Sequence, residues 1–246
     1  MKTPSTLQEH RFISADGNDL PYIVHTPSGY GADSSDRWPL LLFLHGASER
    51  GEDLTGPAAH GPVKQAVAGA EPPFVLVAPQ CPAYSTWACE LRTIAELLDE
   101  VAAAHRIDPD RIYVTGLSMG GAATWALAAR YPGRFAAAVP ICGSWLPEAA
   151  ARIAGLPVWT FHGEDDDDIP ILHTEKIVAA VEAAGGPIRF TRYPAVGHDS
   201  WTRTYDNPEV YAWLLAQSRQ PPTPAPQNRL GGQTHGGPTS TQATAS

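Results

Sequence analysis

Long apolar runs are missing from this chain. No stretch of about 18 consecutive apolar residues occurs, so no membrane-spanning helix is expected. Residues Met1 to Phe12 lack the apolar core of a signal peptide, and the expected location is cytoplasmic, although an exported chain trimmed of its leader would read the same. Cysteine is scarce: Cys81, Cys89 and Cys142 form no C-x-x-C pair and no zinc spacing. The separation of Cys81 and Cys89 permits a bridge without demanding one, and reduced thiols are the expectation for a cytoplasm. Basic residues are in the minority, 17 Lys and Arg against 26 Asp and Glu, for a formal charge of -9. That balance argues against nucleic acid or an anionic membrane as partner. Internal repeats are absent as well, which excludes solenoids and propellers.

What remains is the composition of a globular enzyme-sized chain. Its 246 residues are 43% hydrophobic and 17% charged, enough for one α/β domain with a full core. Apolar runs at Leu40–Leu44, Phe74–Ala78, Phe135–Ile141 and Val158–Phe161 have the continuity of strands buried on both faces. Helical patterns separate them: Gly61–Val67, Leu91–His105, Ala122–Arg130, Leu172–Ala184 and Pro208–Gln217. Ile188–Tyr193 reads as the last strand. Alternation of this kind predicts an α/β fold, a mostly parallel central sheet with helices on both faces. At the start, Arg11–Ser14 and Leu20–Thr26 flank the turn residues Asp16, Gly17 and Asn18, which predicts an antiparallel hairpin at the sheet edge. Residues 27–38 read as a surface loop. Residues 1–219 form the expected catalytic domain. From 220 to 246 the chain turns to Pro, Gly, Thr and Gln and is expected to be a disordered tail.

Four strand ends carry polar signals, and in an open parallel sheet such ends collect active groups. Arg111–Leu117 runs from a β-branched and aromatic stretch into Gly116-Leu117-Ser118-Met119-Gly120, with an Ala-rich helix after it. A serine at the apex of a sharp strand-to-helix turn, bracketed by glycines where a Cβ would clash, is the expected nucleophile. A serine hydroxyl needs a base, and His198 is the one histidine in a loop between the last strand and the last helix. The base needs an acid, which the run Glu164, Asp165, Asp166, Asp167, Asp168 supplies. The run lacks the glycine and the closing glutamate of a calcium loop, so no metal is expected. Charge on a tetrahedral intermediate calls for two backbone donors. Met119, next after the serine, is one, and Ala47, in the loop after Leu40–Leu44, is the other. Glu49 and Arg50 are expected to brace that loop through a mutual or nearby ion pair. Trp87 and Trp201 are the expected pocket walls.

Taken together, Leu44-His45-Gly46-Ala47-Ser48-Glu49-Arg50-Gly51, Gly116-Leu117-Ser118-Met119-Gly120-Gly121, His162-Gly163-x-x-Asp166-x-x-Ile169-Pro170 and Gly197-His198-Asp199-Ser200-Trp201 resemble the dienelactone-hydrolase-related branch of the α/β-hydrolases. The likeness is to short carboxylesterases and predicted peptidases, similar to feruloyl esterases and polyhydroxybutyrate depolymerases, over about Leu7 to Ser218. It implies an α/β-hydrolase fold, Ser118 as nucleophile, Asp166 as acid, His198 as base, and Ala47 and Met119 as oxyanion donors, with no cofactor. Ser48 departs from the glycine of many relatives, and dienelactone hydrolases proper use cysteine where Ser118 stands. With no long insertion to form a lid, the cleft is expected to be open. The expected activity is serine-dependent cleavage of carboxylic esters, short-chain or aromatic, with a small-molecule ester or an ester-bearing polymer end as partner. The alternatives are a serine peptidase or thioesterase with the same triad, and, behind these, a non-catalytic binding protein of the same fold.

Overall fold

The computed structural model describes residues 4–31 and 36–219. The tail expected at 220–246 and residues 32–35 of the 27–38 loop lie outside the described residues. Within them the chain alternates strand and helix. It begins with β1 (Thr6–Ile13), β2 (Asp19–Thr26) and β3 (Trp38–Leu44), then α1 (Thr55–Ala58), α2 (Gly61–Val67) and β4 (Val75–Pro79). Next come α3 (Trp87–Ala104), β5 (Ile107–Leu117), α4 (Met119–Arg130) and β6 (Ala137–Ile141). The remainder is α5 (Ala150–Ile153), β7 (Val158–Gly163), α6 (Leu172–Ala183), β8 (Ile188–Tyr193), α7 (Trp201–Tyr205) and α8 (Pro208–Leu215). No helix among the described residues is long and apolar enough to cross a membrane.

The strands form one sheet in the order β1-β2-β4-β3-β5-β6-β7-β8. β1 and β2 pair antiparallel and β2 joins β4 antiparallel, while every other pair is parallel. This is the expected mostly parallel sheet with a hairpin at one edge. The hairpin turns at Gly17, whose φ of 83° is open to glycine at no steric cost, and Ser14 accepts the Asn18 N–H on its hydroxyl at 2.9 Å.

Continuous apolar strands are explained by burial on both faces. In β3, Leu40, Leu42 and Leu44 pack with Trp125, Leu127, Ile94 and Ile177 on one side. Leu41 and Phe43, pointing the other way, pack with Phe74, Tyr205 and Leu214. A period of two puts successive side chains into different layers, so both sets must be apolar.

Several boundaries depart from the periodicity. α3 starts at Trp87 rather than Leu91, because the indole itself enters the core at the first turn. α4 starts at Met119 rather than Ala122, since Gly120 and Gly121 have poor helix propensity yet are needed for close approach. β5 starts at Ile107 rather than Arg111, paired with Trp38 across a register shift. The short helices α1, α5 and α7 were not expected, being too brief to show a periodic stripe.

Helix α7 is tied to the sheet through a hydrogen-bond chain. The buried phenol of Tyr205 donates to Thr115 Oγ1 at 2.9 Å, and that hydroxyl donates to the Val139 carbonyl at 2.7 Å. Thr115→Val keeps the shape and leaves the phenol without its acceptor. It is expected to lower stability by about 1–3 kcal/mol, read from the urea midpoint, with the same activity per folded molecule.

Candidate active site

The turn between β5 and α4 is built by steric exclusion. A Cβ on Gly120 would lie 2.0 Å from the Leu44 carbonyl oxygen, and one on Gly116 would lie 2.4 Å from the Gly120 oxygen. Only glycine allows β3, β5 and α4 to meet so closely. Ser118 bridges them with φ 52° and ψ −117°, a conformation that L-residues rarely adopt. The strain throws its side chain out at the carboxyl edge of the sheet. The clash expected at Gly116 and Gly120 is the one the backbone enforces.

From there the side chains line up. Ser118 Oγ lies 2.9 Å from His198 Nε2. His198 Nδ1 lies 2.8 Å from Asp166 Oδ2. The other oxygen, Asp166 Oδ1, accepts the Asp168 N–H at 3.0 Å and the Ile169 N–H at 2.9 Å. Of the five acidic residues considered, Asp166 alone is buried; the others face solvent. Ser118 and His198 remain partly exposed, so a solute can reach them. A carboxylate in this position holds Nδ1 protonated and leaves the Nε2 lone pair for the serine proton.

His198 is delivered by the loop after β8, which lies directly on the end of β7. A Cβ on Gly163 would sit 2.2 Å from both the Val196 and the Gly197 carbonyl oxygens. Asp165 N–H also donates to the Val196 carbonyl at 3.0 Å. The acid loop and the base loop are therefore one packed unit.

The loop after β3 is braced from beneath. His45 is buried, and its Nδ1 lies 2.7 Å from the Gly46 carbonyl oxygen while Nε2 accepts the Cys81 N–H at 3.0 Å. The proton therefore sits on Nδ1, and the ring is neutral. A trans peptide is planar, with C=O and N–H pointing opposite ways. Holding the Gly46 carbonyl down on His45 turns the Ala47 N–H outward. Among the described residues nothing accepts from the Ala47 or Met119 N–H. Arg50 adds Nε to the Ala47 carbonyl at 3.0 Å and Nη1 to the Ser85 carbonyl at 3.0 Å. Glu49 faces His60 at 3.5 Å rather than Arg50, so the loop brace is guanidinium-to-carbonyl in place of a Glu49–Arg50 pair.

The two tryptophans separate. The expectation that Trp87 walls the pocket is corrected: its side chain is fully buried and its Nε1–H donates to the His45 carbonyl at 2.9 Å, so it supports the loop from the core side. Trp201 lies edge-on to His198, with ring centroids 5.3 Å apart. Three groups near the site carried no assignment from the sequence. His162 reaches Asp166 Oδ2 at 3.0 Å. Gln80, fully buried, donates to the Glu49 carbonyl at 2.7 Å. Cys142, at the end of β6 with φ 41°, has its sulfur close to Asp166 and His198, the three donor atoms lying within 4.8 Å of one another. His162 opens the motif that runs to Asp166, which is the signal the sequence offered for it; Gln80, next after the last residue of β4, had none.

These three donors do not suit a metal. Burial pushes the Cys142 thiol up to about 12, so it rests protonated, and Asp166 Oδ2 and His198 Nδ1 are taken by their mutual hydrogen bond at 2.8 Å. The same protonation makes Cys142 a poor nucleophile beside Ser118. All three cysteines are free.

A family model described as the dienelactone hydrolase family matches residues 86–213. Poly(3-hydroxyalkanoate) depolymerase C of Paucimonas lemoignei is 32% identical over 150 residues, which cover 55% of this chain and 34% of that protein. A bifunctional acetylxylan esterase/xylanase of Neocallimastix patriciarum is 27% identical over 167 residues, covering 66% of this chain and 23% of its own. The chain thus spans well under half the length of both relatives. Among solved structures, a thermostable esterase is 33% identical with a TM-score of 0.76, over 87% of this chain and 63% of that one.

His45 generates a test of the loop. Burial pushes its imidazole down to about 4 from the ordinary 6.5. Between those values the unfolded chain binds a proton that the folded chain does not. Stability is therefore expected to fall as pH drops through this window, by up to about 1.4 kcal/mol per pH unit from this one group. His162, lowered by burial as well, adds in the same direction. Urea unfolding from about pH 7 to about pH 4 reads the slope. His45→Asn is expected to flatten it, and an unchanged slope would assign the proton uptake elsewhere.

Proposed function

This chain belongs to the dienelactone hydrolase family, and we propose that it is a serine hydrolase cleaving carboxylic esters through an acyl-enzyme. The observation that carries the reading is the relay from Ser118 to His198 to Asp166, at 2.9 and 2.8 Å, on a backbone turn held in a rare conformation. A binding protein of this fold would need neither the strain nor the relay.

In this reading Ser118 Oγ attacks the ester carbonyl as His198 Nε2 takes its proton. Asp166 holds the ring and stabilises the imidazolium. The oxyanion is held by the Ala47 and Met119 N–H groups, which are free of other acceptors among the described residues. His198 then protonates the departing alcohol, leaving the acyl group on Ser118. Water, deprotonated by the same imidazole, attacks that carbonyl, and collapse releases the acid and restores the serine. Cys142 takes no part.

Short acyl groups, or ester groups carried on a polymer, suit a site of this form. The connections at the carboxyl edge, such as 45–54 after β3 and 142–149 after β6, are short and add no lid. Two relatives of the chain are named for polymer-linked esters, a polyhydroxyalkanoate depolymerase and an acetylxylan esterase. Trp201 offers an indole beside the base for the group next to the scissile carbonyl.

Hydrolysis of p-nitrophenyl esters from acetyl to dodecanoyl tests the reading. Acetyl and butyryl esters are expected to turn over fastest. Ser118→Ala and His198→Ala are each expected to lower kcat by about a thousandfold or more, and Asp166→Asn to be severe as well. A variant keeping more than about a tenth of the wild-type rate would remove that residue from the mechanism. A fluorophosphonate should label the wild type and spare Ser118→Ala. Peptide or thioester turnover without ester turnover would move the substrate class while keeping the triad.

A further inference from the structure

His162 has no role in the relay, yet it occupies the other side of the acid. It is the penultimate residue of β7 and fully buried. Its Nε2 faces two acceptors, the Ile169 carbonyl oxygen at 2.8 Å and Asp166 Oδ2 at 3.0 Å. Its Nδ1 faces the Thr174 hydroxyl of α6 at 2.8 Å. Two acceptors at one nitrogen put the proton on Nε2. Nδ1 faces the Thr174 hydroxyl, whose proton it shares with the Gly143 carbonyl at 3.2 Å, and burial lowers the basicity of the ring and favours its neutral form.

Asp166 therefore accepts three N–H groups, two backbone donors on Oδ1 and His198 Nδ1–H on Oδ2, and His162 Nε2 stands 3.0 Å from the same Oδ2 while its hydrogen bond goes to the Ile169 carbonyl. Resting on the ester-hydrolase reading, we propose that His162 is a positioning residue for the acid. It fixes the rotation of the Asp166 carboxylate toward His198 and takes up part of its charge. A carboxylate deprived of one donor is a stronger acceptor for the remaining one. Loss of the His162 donor would thus favour protonated His198 and raise its pKa. Because the base must be neutral to accept the serine proton, the acid limb of kcat/KM would move to higher pH.

The other groups facing His198 are few. Ser118 comes from the β5–α4 turn and the protonated thiol of Cys142 from the end of β6. From α7 comes the uncharged indole of Trp201, with His60 and its Glu49 partner beyond it. The Asp199 carboxylate next in sequence is engaged by the Thr202 N–H and hydroxyl. Asp166 is thus the anion in direct contact with the ring, and His162 is the side chain that shares it.

A matched pair of substitutions separates this from bulk packing. The amide nitrogen of glutamine falls near the Nε2 position of histidine, and that of asparagine near Nδ1. His162→Gln retains a donor toward Asp166; His162→Asn keeps a polar group toward Thr174 and loses the donor. With p-nitrophenyl acetate, His162→Asn is expected to lower kcat by about ten- to a hundredfold. KM should be little changed, and the acid limb should rise by about half a pH unit or more. His162→Gln is expected to recover most of both. NMR titration of His198 in the same three proteins, with thermal melts to match their folding, should show its pKa raised in the Asn variant and restored in the Gln variant. Equal behaviour of the Asn and Gln variants, or an unmoved His198 titration in His162→Asn, would overturn the proposal. Should the wild type show no Ser118-dependent turnover, the ester-hydrolase reading fails by itself, and the NMR titration still decides the part played by His162.

Discussion

The contact between the Leu44 carbonyl and the first turn of α4 is the constraint on which the site depends. At Gly120 the approach is so close that any Cβ would overlap the Leu44 oxygen. The same approach compels the turn before it to fold sharply, and Ser118 absorbs the cost in a positive φ. It also sets two backbone segments side by side. The loop that leaves β3 carries Ala47, and the start of α4 carries Met119, so one packing contact joins the two segments that hold the candidate oxyanion donors. Neither a binding groove nor a ligand is needed to create this arrangement; it follows from close packing of backbone on backbone.

Around that contact the site separates its charges from its neutral donors. Two buried histidines hold backbone and carboxylate in place without adding charge. His45 donates to the Gly46 carbonyl and accepts from Cys81, and His162 donates to the Ile169 carbonyl, stands 3.0 Å from Asp166 Oδ2 and meets the Thr174 hydroxyl at 2.8 Å. Each ring is buried, which disfavours its cation. His198 is partly exposed, between Ser118 and Asp166. Three imidazoles at three strand ends therefore have different duties, distinguished by burial and partner rather than by residue type. The buried anion of Asp166 is tolerable because three N–H groups, with His162 Nε2 at 3.0 Å beside them, replace the water it gave up.

Support for the base reaches the far side of the sheet. His198 meets Trp201 of α7, and the same helix ends in Tyr205, whose phenol is anchored on Thr115 of β5 two residues before Leu117. The strand that leads to Ser118 thus also anchors the helix that flanks His198. By contrast a cavity of about 490 Å³ opens at the opposite edge, lined by Gly133, Pro157, Pro187 and Arg219 among others, and Ser118, Asp166 and His198 take no part in it.

By itself the sequence determined the layers and the succession of strands and helices along the chain, and it marked the strand ends that carry the candidate site. Apolar continuity marks strands covered on both sides, and glycines around Ser118 mark a turn that admits no Cβ; both are local signals that survive in one dimension. Short elements escaped because four or five residues, as in α5 and α7, carry no period. Residue chemistry left five neighbouring acids open and the resemblance alone pointed to Asp166; tertiary structure supplies the physical reason, since the residues on either side point their carboxylates to solvent and the Asp168 and Ile169 N–H groups pin Asp166 inward. It also decided that Trp87 belongs to the core and that His162 shares the acid, because burial and hydrogen-bond partners arise between residues distant in the chain, or on opposite sides of a turn, and no spacing in the sequence encodes them.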